Sequence, residues 1–199
     1  EALIVPTLQD SSVSDLVGIV AGHQYEFGWG ADPLAVQAPN FSTAKAAGKK
    51  LWMTEWSVEK FLNNGQYSKN DLYPNLALAK VIHSDLAEAE LNAYVYWWAA
   101  ALVDNDAPTK LLSTLSQYSR FIRPGWHRVD ADAAPATGVL LSAYVNPEGT
   151  QVAIVAVNMG TAAQSFPLTL DLGTFGAVTP YRTSATENMA ALPQIAGGS

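Results

Sequence analysis

The 199-residue chain carries 18 acidic side chains against 11 lysines and arginines, a formal net charge of -7. An acidic chain is a poor partner for nucleic acid, which binds basic faces. The chain has no cysteine, which excludes disulfides and thiolate-bound metals. It also lacks the run of about eighteen apolar residues that a membrane span needs.

The first 124 residues alternate short apolar runs with helical stretches. The runs, which predict buried parallel strands, are residues 2–5, 16–22, 51–55 and 91–98. The helical stretches are residues 40–50, 73–90 and 110–122. Gly48 is a stop signal for the first of them, and Pro124 and Gly125 end the last. This alternation predicts βα units whose sheet is covered on both faces or forms a barrel wall.

Residues 125–199 lack helical periodicity and predict an antiparallel β domain. The strand candidates are residues 139–145, 151–158, 165–172 and 177–183. Residues 146–149, Asn-Pro-Glu-Gly, predict the turn of a hairpin between the first two. The sequence therefore predicts an α/β domain over residues 1–124 followed by an antiparallel β-sandwich over residues 125–199.

Side chains that carry chemistry follow the ends of three predicted strands. They are His23, Tyr25, Glu55, Trp56, Trp97 and Trp98. In a parallel βα barrel the strand ends meet at one face, where active sites lie. Each residue alone is more often structural, but their joint placement favours a site. Aromatic rings stack on the apolar face of a sugar while polar side chains bond its hydroxyls, so a carbohydrate site is the prediction.

Several segments also carry a resemblance to a known family. They are His23-Gln24-Tyr25, Trp52-Met53-Thr54-Glu55, residues 93–98 and residues 118–130. Together they resemble glycoside hydrolase family 30, which holds endo-xylanases, glucuronoxylanases and endo-β-1,6-galactanases. The resemblance covers about residues 2–192, and Phe-Ile-Arg-Pro-Gly at residues 121–125 is its most specific part.

The resemblance also implies a more specific architecture. It implies the C-terminal half of a (β/α)8 barrel, strands five to eight, with residues 2–5 as strand five, followed by an incomplete β-sandwich side domain. It also implies secretion, a plant cell-wall polysaccharide as substrate, and no cofactor. The expected partner, besides the polysaccharide, is the missing N-terminal half of the barrel or a second copy.

The resemblance also implies roles for single residues. Members use two carboxylates in a retaining mechanism, about 5 Å apart. Glu55 matches the nucleophile, Tyr25 matches an aromatic residue beside it, and Trp97 or Trp98 floors a sugar subsite. The family's acid/base follows an Asn, yet no Asn-Glu pair occurs in this chain. Glu26 is the best substitute, although an exposed loop carboxylate is the commoner interpretation.

Two other interpretations stay open at this stage. A non-catalytic carbohydrate-binding fragment would use Glu55 only as a hydrogen-bond acceptor. Its stacking platform would be Trp29, Trp56, Trp97 and Trp98. A plain scaffold fragment would bind no sugar. No metal site is predicted, because the three histidines are isolated from one another.

The distribution of positively charged residues narrows the choice of substrate. No arginine lies between Leu51 and Ser119, which disfavours strict recognition of glucuronate. A neutral chain, β-1,4-xylan or β-1,6-galactan, is the expectation, and the sequence does not separate the two.

Overall fold

The computed structural model describes residues 2–25, 39–63, 65–171 and 173–198. The chain divides into two compact units, one of residues 1–67 and 77–99 and the other of residues 68–76 and 100–199. The predicted domain boundary at residue 124 stays a prediction.

The first unit is built on a parallel sheet. Its strands are β1 (Ile19–His23), β2 (Lys50–Trp56) and β3 (Ala93–Tyr96), in the order β1-β2-β3. Both neighbouring pairs run parallel, as the alternation of runs and helices predicts. The helices along this part of the chain are α1 (Val5–Gln9), α2 (Ser42–Ala46), α3 (Glu59–Asn63) and α4 (Leu72–His83), the last followed by a π-helical turn, Ser84–Glu88.

The strand predicted over residues 2–5 is wrong. Residues 2–4 form a turn, and α1 begins at Val5 with Pro6 in its first turn. Proline is well suited there, because its fixed φ is helical and its missing N–H would have no partner in the first turn anyway. The described part of the unit therefore holds three parallel strands where four were expected.

The two faces of the parallel sheet differ in burial. Val20, Leu51 and Met53 are buried on one face. The pairing of Trp52 with Ala21 and Ala93 defines the opposite face, where Trp52, Ile19 and Val95 are exposed. Parallel sheets are normally covered on both faces. In the described residues only one face has the burial that the sequence predicts for both.

The second unit is antiparallel. Its main sheet has the order β6-β7-β8, from His127–Val129, Val139–Val145 and Val152–Asn158. Two short ladders pair β4 (Val103–Asp104) with β5 (Ala107–Pro108), and β9 (Tyr181–Arg182) with β10 (Ala190–Ala191). The helix α5 (Lys110–Ser119) precedes the main sheet in the chain.

The predicted hairpin is confirmed, and a later strand is not. The turn between β7 and β8 is fixed by Asn146, whose Oδ1 accepts the N–H groups of Thr150 and Gln151 at 2.8 Å each. The strand predicted over residues 165–172 is wrong for residues 165–171, which form no regular structure. Pro167 lies inside that run, and proline removes the N–H that a strand donates to its neighbour.

A buried lysine ties α5 to the C-terminal segment of the second unit. Lys110 Nζ donates to the carbonyl oxygens of Ser184 (2.6 Å) and Glu187 (3.0 Å) and to Asn188 Oδ1 (2.6 Å). An ammonium has three donors, and here all three have partners. The buried charge is therefore fully solvated by the protein.

We expect Lys110→Met to destabilise the chain by about 1–3 kcal/mol, since three hydrogen bonds from a charged donor are lost. Urea unfolding measures the change. The matched control is Lys50→Met, because Lys50 is exposed at the start of β2; that variant should stay within about 0.5 kcal/mol of the parent. Equal effects of the two substitutions would contradict the account.

The first unit contains a buried carboxyl in its π-helical turn. Asp85 is fully buried, and neither of its carboxyl oxygens has a partner among the described residues. Burial raises its pKa to about 8, and the charge of Glu88 adds to the effect. Asp85 is therefore mostly protonated in the folded chain at neutral pH.

This carboxyl makes stability depend on pH. The folded state keeps a proton that the unfolded state releases above its pKa of about 4, so the contribution of Asp85 weakens stability as pH rises from about 4 to 8. Asp85→Asn should remove that loss, raising stability at pH 8 relative to pH 5. The test is urea unfolding of parent and variant at both values.

The control for this experiment is Asp106→Asn, which removes an exposed carboxyl instead. Burial is the main cause that lowers the pKa of His83. The effect of His83 on stability is therefore opposite to that of Asp85, because it makes the chain more stable as pH rises toward about 6.5. The decisive quantity is therefore the difference in unfolding free energy between Asp85→Asn and its parent, compared at the two pH values. If the unfolding free energy depends on pH identically in the parent and in Asp85→Asn, Asp85 is ionised in the folded chain and the account is contradicted.

Candidate active site

Glu55 lies near the C-terminal end of β2, at an irregularity in the strand pairing. His23 of β1 pairs with Glu55, and the preceding pair joins Gly22 to Met53, so Thr54 is skipped. The register of β2 against β3 also shifts between Met53 and Trp56. Such an extra residue breaks the alternation of a strand and re-aims its side chains, often beside active sites.

The side chain of Thr54 fixes this irregularity. Its Oγ1 donates to the carbonyl oxygen of Gly22 in β1 at 3.1 Å. The skipped residue is thereby tied to the neighbouring strand, and Glu55 keeps a defined direction.

Two of the predicted side chains contact Glu55. His23 Nε2 lies 3.6 Å from Glu55 Oε2, and the Glu55 side chain is 24% exposed. The Tyr25 hydroxyl lies close enough to the same carboxylate for Glu55 to help raise the pKa of the phenol. The rings of His23 and Tyr25 meet edge to face, with centroids 6.0 Å apart and planes at 87°. The structure thus gathers an imidazole, a phenol and a carboxylate around one partly accessible position.

The phenol remains a donor at neutral pH. Burial, followed by the neighbouring Glu55, raises the pKa of Tyr25 to about 12, while Ser57 acts on this pKa in the opposite direction. Ser57 is buried, and its Oγ accepts the N–H of Glu59 at 3.3 Å. Sequence reasoning missed Ser57. The available signal was a serine two residues before a helix, where its oxygen takes up a free N–H.

The tandem tryptophans follow the end of β3, the neighbour of β2. Trp97 is 49% and Trp98 is 38% exposed. The Trp97 N–H donates to the carbonyl oxygen of Trp56 at 2.9 Å. Trp98 has a φ of +70°, a conformation that is uncommon outside glycine and that clusters at functional sites. Both rings therefore offer open aromatic surface after the C-terminal end of the sheet.

Trp56 is placed differently from the prediction. Its side chain is only 3% exposed, and its Nε1 has no partner among the described residues. A ring buried this far offers no face to a sugar, so its predicted contact with substrate is not supported. The shift in β2 before Trp56 is the physical reason, because sequence alternation no longer tells which face a residue occupies.

Some predicted features lie beyond what the structure describes. Glu26 and Trp29 fall outside the described residues. Within the described part of the chain, no group of three or more histidines and carboxylates is arranged to hold a metal ion. No helix in that part is long and apolar enough to cross a membrane.

Known proteins that are similar to this chain include xylanases. No family model matches. The glucuronoxylanase XynC of Bacillus subtilis is 29% identical over 189 residues, which are 92% of this chain and 42% of that protein.

Two solved structures are similar over 96% of this chain and 46% of theirs. One is the glycoside hydrolase family 30 subfamily 8 xylanase Xyn30A from Clostridium acetobutylicum, with a TM-score of 0.77 and 31% identity. The other is a GH30 endoxylanase from Clostridium papyrosolvens C71, with a TM-score of 0.78 and 33% identity.

The chain spans a little under half the length of these relatives. Over nearly all of its own length, however, sequence and backbone agree with theirs, and the motifs around Glu55 point the same way. Within the stretch that it covers, the chain belongs to glycoside hydrolase family 30.

Proposed function

We propose that this chain carries the nucleophile half of a retaining endo-glycosidase acting on β-1,4-xylan or a related β-linked glycan. The observation that carries the proposal is the Glu55 carboxylate near the end of a parallel strand, beside Tyr25 and 3.6 Å from His23. The similar proteins are named as xylanases, which supports the substrate class.

The proposal extends to the architecture. We assign β1, β2 and β3 to strands six, seven and eight of a (β/α)8 barrel, and the antiparallel strands after residue 124 to a β-sandwich side domain. The exposed apolar face with Trp52 and Val95 is consistent with the inside of a barrel wall. Secretion of the enzyme is part of the same proposal.

Glu55 would act as follows. One of its oxygens forms a bond to the anomeric carbon while the bond from that carbon to the leaving oxygen breaks, giving a covalent glycosyl ester. A second carboxyl group, about 5 Å away, gives its proton to the leaving oxygen. As a carboxylate it then takes a proton from a water whose oxygen bonds to the anomeric carbon while the ester bond to Glu55 breaks. Because this chain has no Asn-Glu pair, we place that acid/base on a segment outside it.

The neighbouring side chains would prepare this step. Tyr25 would hold one carboxylate oxygen by its hydroxyl, and His23 lies beside the carboxylate with half of its own side chain exposed. Trp97 and Trp98 would stack on the sugar whose anomeric carbon is attacked. Orientation of the attacking group before reaction is a large part of the rate that an enzyme gains.

A fluorosugar tests Glu55 without involving the acid/base. Fluoride leaves without a proton, so 2-deoxy-2-fluoro-β-xylobiosyl fluoride needs only a nucleophile, and its 2-fluorine slows release of the ester. We expect the full-length gene product to gain one fluoroxylobiosyl mass, located on Glu55 by peptide mass spectrometry. Glu55→Gln should abolish the labelling.

Glu59→Gln is the matched control, since Glu59 is a nearby carboxylate at the start of α3. It should label as the parent does. A label on another residue, or undiminished labelling of Glu55→Gln, would refute the assignment.

The exposed tryptophans favour one second candidate, a carbohydrate-binding fragment without catalysis. In that case xylan binding would fall in Trp97→Ala, and no form of the protein would be labelled. The enzyme proposal instead expects Glu55→Gln to keep xylan binding while losing both labelling and turnover.

The lack of arginine between Leu51 and Ser119 leads to a prediction on specificity. Planar, bidentate recognition of a carboxylate is the particular strength of arginine. We expect kcat/KM of the full-length gene product for xylohexaose to equal or exceed that for its methylglucuronate-substituted counterpart. A preference of more than about tenfold, or 1.4 kcal/mol, for the substituted oligosaccharide would contradict this. A β-1,6-galactohexaose measured alongside separates the two neutral substrates.

A further inference from the structure

Strand β2 contains one residue more than its neighbour β1 at the point where it delivers Glu55. Met53 and Glu55 pair with consecutive residues of β1, Gly22 and His23. Two steps along β2 therefore match one step along β1, and Thr54 has no counterpart there.

The same extra residue accounts for the pairing of β2 with β3. Residues 53 and 56 of β2 pair with residues 94 and 96 of β3, so three steps along one strand match two along the other. A single additional residue, Thr54, explains both mismatches. Such a bulge disrupts the local ladder and leaves the extra residue unpaired.

The bulge decides which face of the sheet Glu55 occupies. Met53 is fully buried, and in a regular strand the side chain two positions later returns to the same face. The extra residue adds one step, so Glu55 instead takes the face of His23, with which it pairs. Trp56 correspondingly lies on the buried face and is only 3% exposed.

The side chain of Thr54 bonds to β1 at the place where the register changes. Its Oγ1 donates to the carbonyl oxygen of Gly22 at 3.1 Å, and Gly22 directly precedes His23, the partner of Glu55. One hydrogen bond contributes modestly to stability. Its position beside the bulge gives it a direct influence on the backbone that carries Glu55.

We propose that Thr54 is a positioning residue for the nucleophile, acting through Glu55. By donating to the Gly22 carbonyl, the Thr54 hydroxyl holds the bulge in one conformation and keeps the Glu55 carboxylate on the open face beside His23. This inference rests on the proposed function of Glu55 and adds a residue behind it. A displaced carboxylate would still allow sugar to bind but would attack it more slowly, because the rate depends on the alignment of the reacting atoms.

The first test separates binding of the fluorosugar from its reaction in the full-length gene product. Thr54→Val keeps the shape of the side chain and removes the hydroxyl. The labelling rate at saturating fluorosugar should fall about threefold to tenfold, the usual effect of one hydrogen bond. The concentration that gives half of this rate should stay unchanged, because binding is not the step affected. Thr54→Ser, which keeps the donor, should restore most of the rate.

Thr43→Val is the matched control, because it makes the same change in α2 of the same unit. It should label as the parent does. The proposal is overturned if Thr54→Val labels at the parental rate, if Thr54→Ser is as slow as Thr54→Val, or if only binding of the fluorosugar weakens. Should Thr54→Val not fold, Thr54→Ala also lacks the hydroxyl and takes its place in the same comparison.

Crystal structures of the unlabelled variants give a readout that does not depend on activity. In Thr54→Ser the Glu55 carboxylate should keep its place beside His23, where Oε2 lies 3.6 Å from Nε2 in the parent. In Thr54→Val it should move away or occupy two positions. An undisturbed Glu55 in Thr54→Val would overturn the proposal. If the parent is never labelled by the fluorosugar, the proposed function fails, while these structures still report whether Thr54 holds the carboxylate.

Discussion

The site depends on one constraint: a carboxylate must be held, partly buried, at the point where β2 loses its regular pairing. A charge in that place is costly unless polar groups solvate it. Tyr25 and His23 supply that solvation, and the tie from Thr54 to Gly22 keeps the irregular strand end in place. Without the irregularity, Glu55 would follow the ordinary alternation of the strand.

The parallel sheet explains why these particular residues meet. Three strands running in one direction bring their C-terminal ends to one edge, so segments far apart in the chain become neighbours there. The same edge carries His23 from β1, Glu55 from β2 and the open rings that follow β3. Family membership agrees with this arrangement, while the proposed activity rests on the chemistry of Glu55 and the groups that it contacts.

Sequence reasoning predicted the periodic parts of the fold and missed the irregular ones. The strands β1 to β3, the stop at Gly48 (φ +66°) and the hairpin turn at Asn146 all follow from runs and turn residues, and the structure confirms them. Residues 2–5 were assigned by apolar content alone, although Pro6 favours a helix start. The burial of Trp56 depends on a register shift in β2, which leaves no periodic signal in the sequence.

The most direct test is a crystal structure of the full-length gene product, in its Glu55→Gln form, with a bound xylo-oligosaccharide. The account predicts an anomeric carbon about 3–3.5 Å from an atom of the side-chain amide at position 55, with the sugar stacked on Trp97 or Trp98. A sugar bound elsewhere, with position 55 facing only solvent or protein, would contradict it.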